Sequence, residues 1–231
     1  MRASRGQRGM SLVETMITLV LGLIVVAAVY SMYTGTTRSS RFTSGLQSMQ
    51  ENGRFGVAVL QKGFRLAGYS PATRVAPLDF GSIDESTVVV RLNQAQDCNG
   101  ASTAANGGVA VNTYRHHPEN GSETGRITCE GSAANATEMT LVDDIEAFRV
   151  LYGVDDDGND VPDRYVPFDE VDPARTNDVA ALRFALLVTS GDPIRTRARS
   201  ETHVLLDEVH PSDDRTARSV FASTVKLRNR R

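Results

Sequence analysis

The 231-residue chain has no tryptophan, two cysteines and four histidines, and only 6% of its residues are aromatic. Two cysteines without a CxxC spacing or grouped histidine partners make a poor zinc site. His116-His117 stand in a polar stretch with no third ligand at a recognisable distance and read as exposed loop residues. No GxSxG nucleophile elbow, GxxxxGK(S/T) phosphate loop or HExxH zinc helix occurs, so the chain reads as non-enzymatic. A basic excess is also missing: 25 Lys+Arg face 28 Asp+Glu, a net charge of −3. The first nine residues hold Arg2, Arg5 and Arg8 and no acid, so their removal takes the body to −6. A mildly acidic body speaks against a dedicated nucleic-acid binder, which needs a cationic surface for phosphates. The late cluster Lys226, Arg228, Arg230 and Arg231 is too short to reverse that balance and reads as a solvated tail.

What is abundant lies near the amino terminus. From Met16 to Tyr30 the chain reads MITLVLGLIVVAAVY, an apolar run interrupted only by Thr18 and Gly22. Extended from Leu12 to Tyr33 it makes about 33 Å of helix, enough for a hydrocarbon core of ~30 Å. The arginines before it favour a cytoplasmic amino terminus and a periplasmic remainder. A secretory signal peptide would need a small-x-small cleavage site, which Ala27-Ala28-Val29-Tyr30-Ser31-Met32-Tyr33 fits poorly. A buried soluble helix rarely carries a basic leader before so many Val, Ile and Leu residues. A plain signal anchor leaves Glu14 unexplained. A carboxylate in a membrane span costs roughly 2.5–3.5 kcal/mol at the centre and less near the interface, and such a residue usually has a partner. If the chain is cut after Gly9, Met10 becomes the amino terminus and Glu14 the fifth residue. An ammonium and a carboxylate then share one end of an apolar helix, and each Glu14 can pair with the amine of a neighbouring helix.

The segment Arg8-Gly9-Met10-Ser11-Leu12-Val13-Glu14 resembles the class III signal of type IV prepilins: a short basic leader ending in Gly, an apolar first residue, and Glu at the fifth mature position. The resemblance implies cleavage after Gly9 by a prepilin peptidase and N-methylation of Met10. Met10 departs from the commoner Phe, as minor pilins often do.

Beyond the span, Phe42, Leu46, Met49, Gly53, Gly56, Leu60, Phe64 and Ala67 recur at steps of three and four, one helical stripe. Gly68 and Pro71 supply a stop signal. One helix is expected from Ser11 to Ala67, roughly 85 Å long, with its likeliest interruption between Ser31 and Gly45. Its glycines 22, 35, 45, 53, 56 and 63 admit two readings, close packing or sequence drift compensated by tertiary contacts. After Pro71 short strands alternate with Gly- and Asn-rich turns. Thr87–Leu92, Val109–Tyr114, Ile145–Tyr152, Val179–Thr189 and Val220–Leu227 are expected strands, with Val179–Thr189 central. Asn93–Gly108 and His116–Ala136 read as loops holding Cys98 and Cys129. In an exported head these two cysteines read as one disulfide, contributing roughly 3–4 kcal/mol by loop entropy. The expected fold is α+β and pilin-like, a long N-terminal helix packed on an antiparallel sheet. The divisions are leader 1–9, span 10–33, amphipathic continuation 34–68 and head 69–231.

Val142–Gly158, the strand ALRFALLVTSGD and the terminal VFASTVKLRNR resemble PilW-type minor pilins, as does the lack of tryptophan. The related minor pseudopilins of type II secretion, the GspJ class, share the architecture. The resemblance implies a non-enzymatic subunit that helps initiate type IV pilus assembly at or near the tip, in a system serving adhesion and twitching. Its partners would be the prepilin peptidase, other minor pilins, the major pilin, an inner-membrane assembly platform and a tip adhesin. The implied location is the inner membrane, single-pass with a periplasmic head, and then the filament. Two other classes stay open: a head that binds DNA or a surface, and a membrane-anchored enzyme. Asp155, Asp157, Asn159 and Asp163 alternate as a linear calcium loop requires. Their glycine sits at loop position four rather than six, and a bidentate Glu at position twelve is missing, so an acidic turn without metal competes with calcium. Asn120-Gly-Ser and Asn135-Ala-Thr are formal sequons that read as ordinary loop.

Overall fold

Apolar and small residues at helical spacing build α1 (Leu12–Arg65) in the computed structural model, which describes residues 10–71, 74–121, 124–132 and 136–230. The chain falls into two units, Met1–Ser44 and Gly45–Arg231. In the first, residues 10–33 are exposed on every side. The expected interruption between Ser31 and Gly45 does not occur. The hydroxyls there close on the helix itself: Thr34 donates to the Ser31 carbonyl at 3.0 Å, Thr36 to Met32 at 2.9 Å and Thr37 to Tyr33 at 2.9 Å. They compete with water for carbonyls rather than with the helix for its N–H groups.

In the second unit, the end of α1 lays its stripe on the head. Met49, Gly53, Gly56, Leu60 and Phe64 are buried, as is Ala67 just beyond. The helix ends at Arg65, two residues short of the expected Ala67. Its last turn tightens through Leu66 N–H to the Gly63 carbonyl and Ala67 N–H to Phe64, and Gly68 at φ +74° turns the chain away. Close packing explains the glycines of this half. A Cβ on Gly53 would strike the Phe221 ring, one on Gly56 would meet Leu186 Cδ1 at 2.9 Å, and one on Gly63 would strike the Tyr114 hydroxyl. Gly22 and Gly35 have nothing within 4 Å of the equivalent point.

Among the described residues the head has two four-stranded antiparallel sheets and a hairpin. The first has the order β1 (Thr87–Asn93), β2 (Val109–His117), β3 (Arg126–Glu130), β4 (Met139–Asp143). The second runs β10 (Arg218–Lys226), β7 (Val179–Thr189), β5 (Ile145–Val154), β6 (Arg164–Val166). Residues of α1 and both sheets share one core: Phe64 meets Tyr114 of β2 edge-on at 5.5 Å and Phe184 of β7 at 5.3 Å. The hairpin β8 (Arg199–Leu205) and β9 (Glu208–Asp214) buries Leu205 against Ala147, Ala185 and Leu187, on the other face of the second sheet. Arg149 to Asp207 at 2.7 Å and Arg218 to Glu146 at 2.6 Å rim that contact. Strand β7 is thus buried on both faces except at Arg183, which is why it reads as an apolar run with a single charged interruption.

All five expected strands form, and β7 spans Val179–Thr189 as expected. The loop reading of 116–136 is corrected: His116 and His117 end β2, and Cys129 lies within β3. Strand β3 has five residues and owes its pairing to β2 and β4 rather than to a pattern of its own.

Candidate functional site

The chemistry singled out in the sequence begins at the amino terminus. Gly9 and the rest of the leader lie outside the described residues; Met10 and Glu14 are described and exposed. Glu14 is the one acid of the first helical turn, where the positive end of the helix dipole favours it. From Leu12, 74% exposed, to Tyr33, 68% exposed, the apolar side chains touch no core. The polar side chains among them are satisfied locally. Thr15 donates to the Leu12 carbonyl at 2.7 Å and Thr18 to the Glu14 carbonyl at 2.9 Å. A surface this apolar with its hydroxyls closed on the backbone suits lipid or a bundle of like helices, not water. Glu14 is then the charge in it that asks for a partner.

In the head, Cys98 and Cys129 form a disulfide. It joins the turn after β1 to β3 of the same sheet, so it ties a connection to a strand rather than two loops to each other. His116 Nε2 lies 2.9 Å from the Ile145 carbonyl, and His117 Nε2 lies 2.7 Å from Glu138 Oε1. Burial holds His116 below the ordinary imidazole value, which keeps it a neutral donor to that carbonyl. Both histidines are half-buried structural groups, not the exposed loop residues expected.

Asp155, Asp157 and Asp163 place carboxylate oxygens within 4.8 Å of one another. Each already accepts hydrogen bonds: Asp155 from the N–H groups of Gly158, Asn159 and Asp160, Asp157 from Asn159, and Asp163 from Asp156 at 2.7 Å. The side-chain oxygen of Asn159 is turned to Val161 N–H at 2.7 Å. A residue that the sequence reading placed in a solvated tail completes the turn. Arg230 is buried, and its guanidinium pairs with Asp155 and with Asp160. That hydrogen bond is the main reason the Asp155 carboxyl is held down at about 2. Arg230 supplies the positive charge that calcium would bring to Asp155. Next to it, the Asn229 amide donates to the Ala67 carbonyl at 3.2 Å and reaches the Arg65 carbonyl at 3.5 Å, capping the end of α1. Arg74 donates to the Arg230 carbonyl at 3.2 Å. The terminal residues thus fasten the helix end to the acidic turn. A short basic cluster in sequence carries no sign of this, because the acids it meets lie 70 and 75 positions earlier.

Comparison with known proteins adds the following. Residues 115–229 match the family model of type IV pilus-assembly protein W, PilW. Residues 4–30 match the prokaryotic N-terminal methylation motif. Among solved structures, a type IV-like pilin from Thermus thermophilus is similar at TM-score 0.48 and 16% identity, over 78% of this chain and 95% of its own. No curated protein matches significantly. From Leu12 onward the methylation motif coincides with the exposed apolar helix, which marks that helix as a membrane anchor, and the PilW match lies on the sheets of the head. With both in one polypeptide, the chain belongs to the type IV pilin-like proteins as a minor pilin of the PilW type.

Proposed function

We propose that this chain is a non-enzymatic minor pilin that helps initiate type IV pilus assembly and sits at or near the filament tip. One observation carries the reading: a helix apolar on every side over residues 12–33, with a single carboxylate, Glu14, at its start. Such a helix can wait in a bilayer as a monomer and then exchange lipid for like helices at little net cost, because both surroundings are apolar. The prepilin peptidase would cut after Gly9 and the new Met10 amine would be methylated. The head would face the periplasm before assembly, beside other minor pilins, the major pilin, the inner-membrane platform and a tip adhesin. The acidic body argues for protein partners over nucleic acid.

The test has two parts. Mass spectrometry of the chain from cell membranes should give a mature protein beginning at methylated Met10; an intact Met1 start would sink the reading. Deleting the chain should abolish surface pili, and sheared wild-type filaments should carry it in trace amount at one end. Normal pili together with failed export of a secreted protein would assign it to a secretion pseudopilus instead.

A further inference from the structure

Exposed sheet edges are liabilities, and natural proteins shorten, bulge, charge or cover them. Among the described residues nearly every edge of this head is treated so. Strand β1 is covered by the segment before it, through Asp79 N–H to the Val89 carbonyl at 3.1 Å and Arg91 N–H to Pro77 at 3.0 Å. Strand β4 has five residues and meets β3 across a register shift. Strand β6 has three residues. The hairpin carries Arg199 and Glu201 on β8, and Pro211, Asp213 and Asp214 on β9.

Strand β10 is charged only at its two ends, Arg218 and Lys226. It is nine residues long, pairs with β7 without a register shift, and holds neither charge nor proline from Ser219 to Val225. The direction of its free groups follows from two hydrogen bonds. Leu227 N–H donates to Ala180 at 2.8 Å and Ser190 N–H to Ala217 at 2.9 Å, both in register with the β10–β7 ladder. Antiparallel pairs alternate, so the odd-numbered residues of β10 turn their backbone groups to β7. Those of Val220, Ala222 and Thr224 point to the open side, where no described residue takes them. Beside that edge runs a groove lined by Arg54, Val57, Ala58 and Gln61 of α1 and by Phe221 and Ala222. Phe221 lies in it because Gly53 lets the ring sink against the helix.

We infer that the open edge of β10 is an assembly surface that takes an extended segment of a different filament subunit by β-strand addition. This rests on the filament reading above and names the contact within it. The incoming strand bonds Val220, Ala222 and Thr224 and sets an apolar side chain into the groove over Phe221. It carries acid opposite the exposed cations Arg54, in the groove, and Lys226, at the strand end, neither of which has an ion pair among the described residues. A second copy of this chain is the poorer occupant: its β10, Arg218–Lys226, holds no acid to meet Arg54 and Lys226.

The test uses the full chain co-produced with the other pilin subunits of its filament and purified from membranes in detergent. Ala222→Pro deletes an N–H that the fold does not use, and proline is tolerated on an edge whose N–H faces solvent. Ala222→Lys keeps the N–H and adds the missing guard. Both should keep the melting midpoint of the head and lose at least tenfold in recovery of subunits that mass spectrometry identifies as processed pilins. In the wild-type complex, amide exchange at Val220, Ala222 and Thr224 should slow at least tenfold relative to the chain alone. If Ala222→Pro does not fold, Ala222→Lys and the exchange measurement carry the test. Full recovery with either folded variant, or unchanged exchange at the edge, overturns the strand-addition contact and leaves the filament reading standing. A wild-type chain that recovers no processed pilin overturns both.

Discussion

Glu14 and Arg230 are both charges in places that would punish an isolated ion, and each is explained by a partner. For Glu14 we propose a partner outside the chain: after cleavage at Gly9 its carboxylate would meet the Met10 ammonium of a neighbouring helix, and only one axial offset would neutralise both, so the pair would act as a register device more than a source of affinity. Glu14→Val should be inserted and cleaved at wild-type level but enter the assembly complex poorly and lower piliation; normal piliation would remove the register role. For Arg230 the partners are Asp155 and Asp160. Asp155, and likewise Asp214 beside Arg218, is held by its arginine at about 2 against an ordinary 3.8. A depressed carboxyl pKa means stability that is complete above about pH 4 and lost as pH falls toward about 2. Arg230→Met should flatten that acid limb and lower the melting midpoint at pH 7 by several degrees. Because Arg230 already neutralises Asp155, millimolar calcium should leave the wild-type midpoint unmoved. A clear rise would establish the loop Asp155, Asp157, Asn159, Asp163 as a calcium site.

At the scale of elements, α1 has two kinds of surface joined in one helix. Its glycines tell them apart: Gly45, Gly53, Gly56 and Gly63 meet head side chains, while Gly22 and Gly35 meet nothing. Gly53→Leu must push Phe221 out of its seat, an overpacking cost of ~1–3 kcal/mol. Gly22→Ala should leave head stability unchanged, or raise helix propensity slightly. Thermal unfolding of the two variants compares the two halves directly. If Gly53→Leu melts with the wild type, the close approach of helix and strand is not a packing requirement.

Taken whole, the head is held by one core between α1 and the two sheets, a smaller one under the hairpin, and the Cys98–Cys129 bond. The disulfide closes a loop across a sequence separation of 31, which in the loop-entropy account contributes roughly 3–4 kcal/mol. Reduction should therefore lower the denaturant midpoint markedly without abolishing folding, since the main core does not depend on it. Alkylation of the unreduced, unfolded chain should label neither cysteine. Labelling of both would show that the bond is absent in the mature protein.

The sequence alone determined whatever local periodicity and local charge can encode. The apolar span and Glu14, the helical stripe as buried from Met49 to Ala67 and the limits of β7 were all legible, because each segment is uniform in its surroundings; Phe42, expected at the start of the stripe, stays exposed. Strand β7 is buried along nearly its whole length, Arg183 excepted, so its pattern needs no partner to be recognised. Tertiary structure decided the rest. Strands β8 and β9 alternate Glu, His and Ser around a single buried Leu205, and become a hairpin only because Ala185 and Leu187 wait beneath. His116 turned from a loop residue into a half-buried donor because the Ile145 carbonyl stands opposite it. Arg230 turned from a solvated tail into an ion pair because folding brings distant acids to it. The physical reason is the same each time: burial and pairing are properties of a neighbourhood, and a neighbourhood assembled from distant segments leaves no period in the chain.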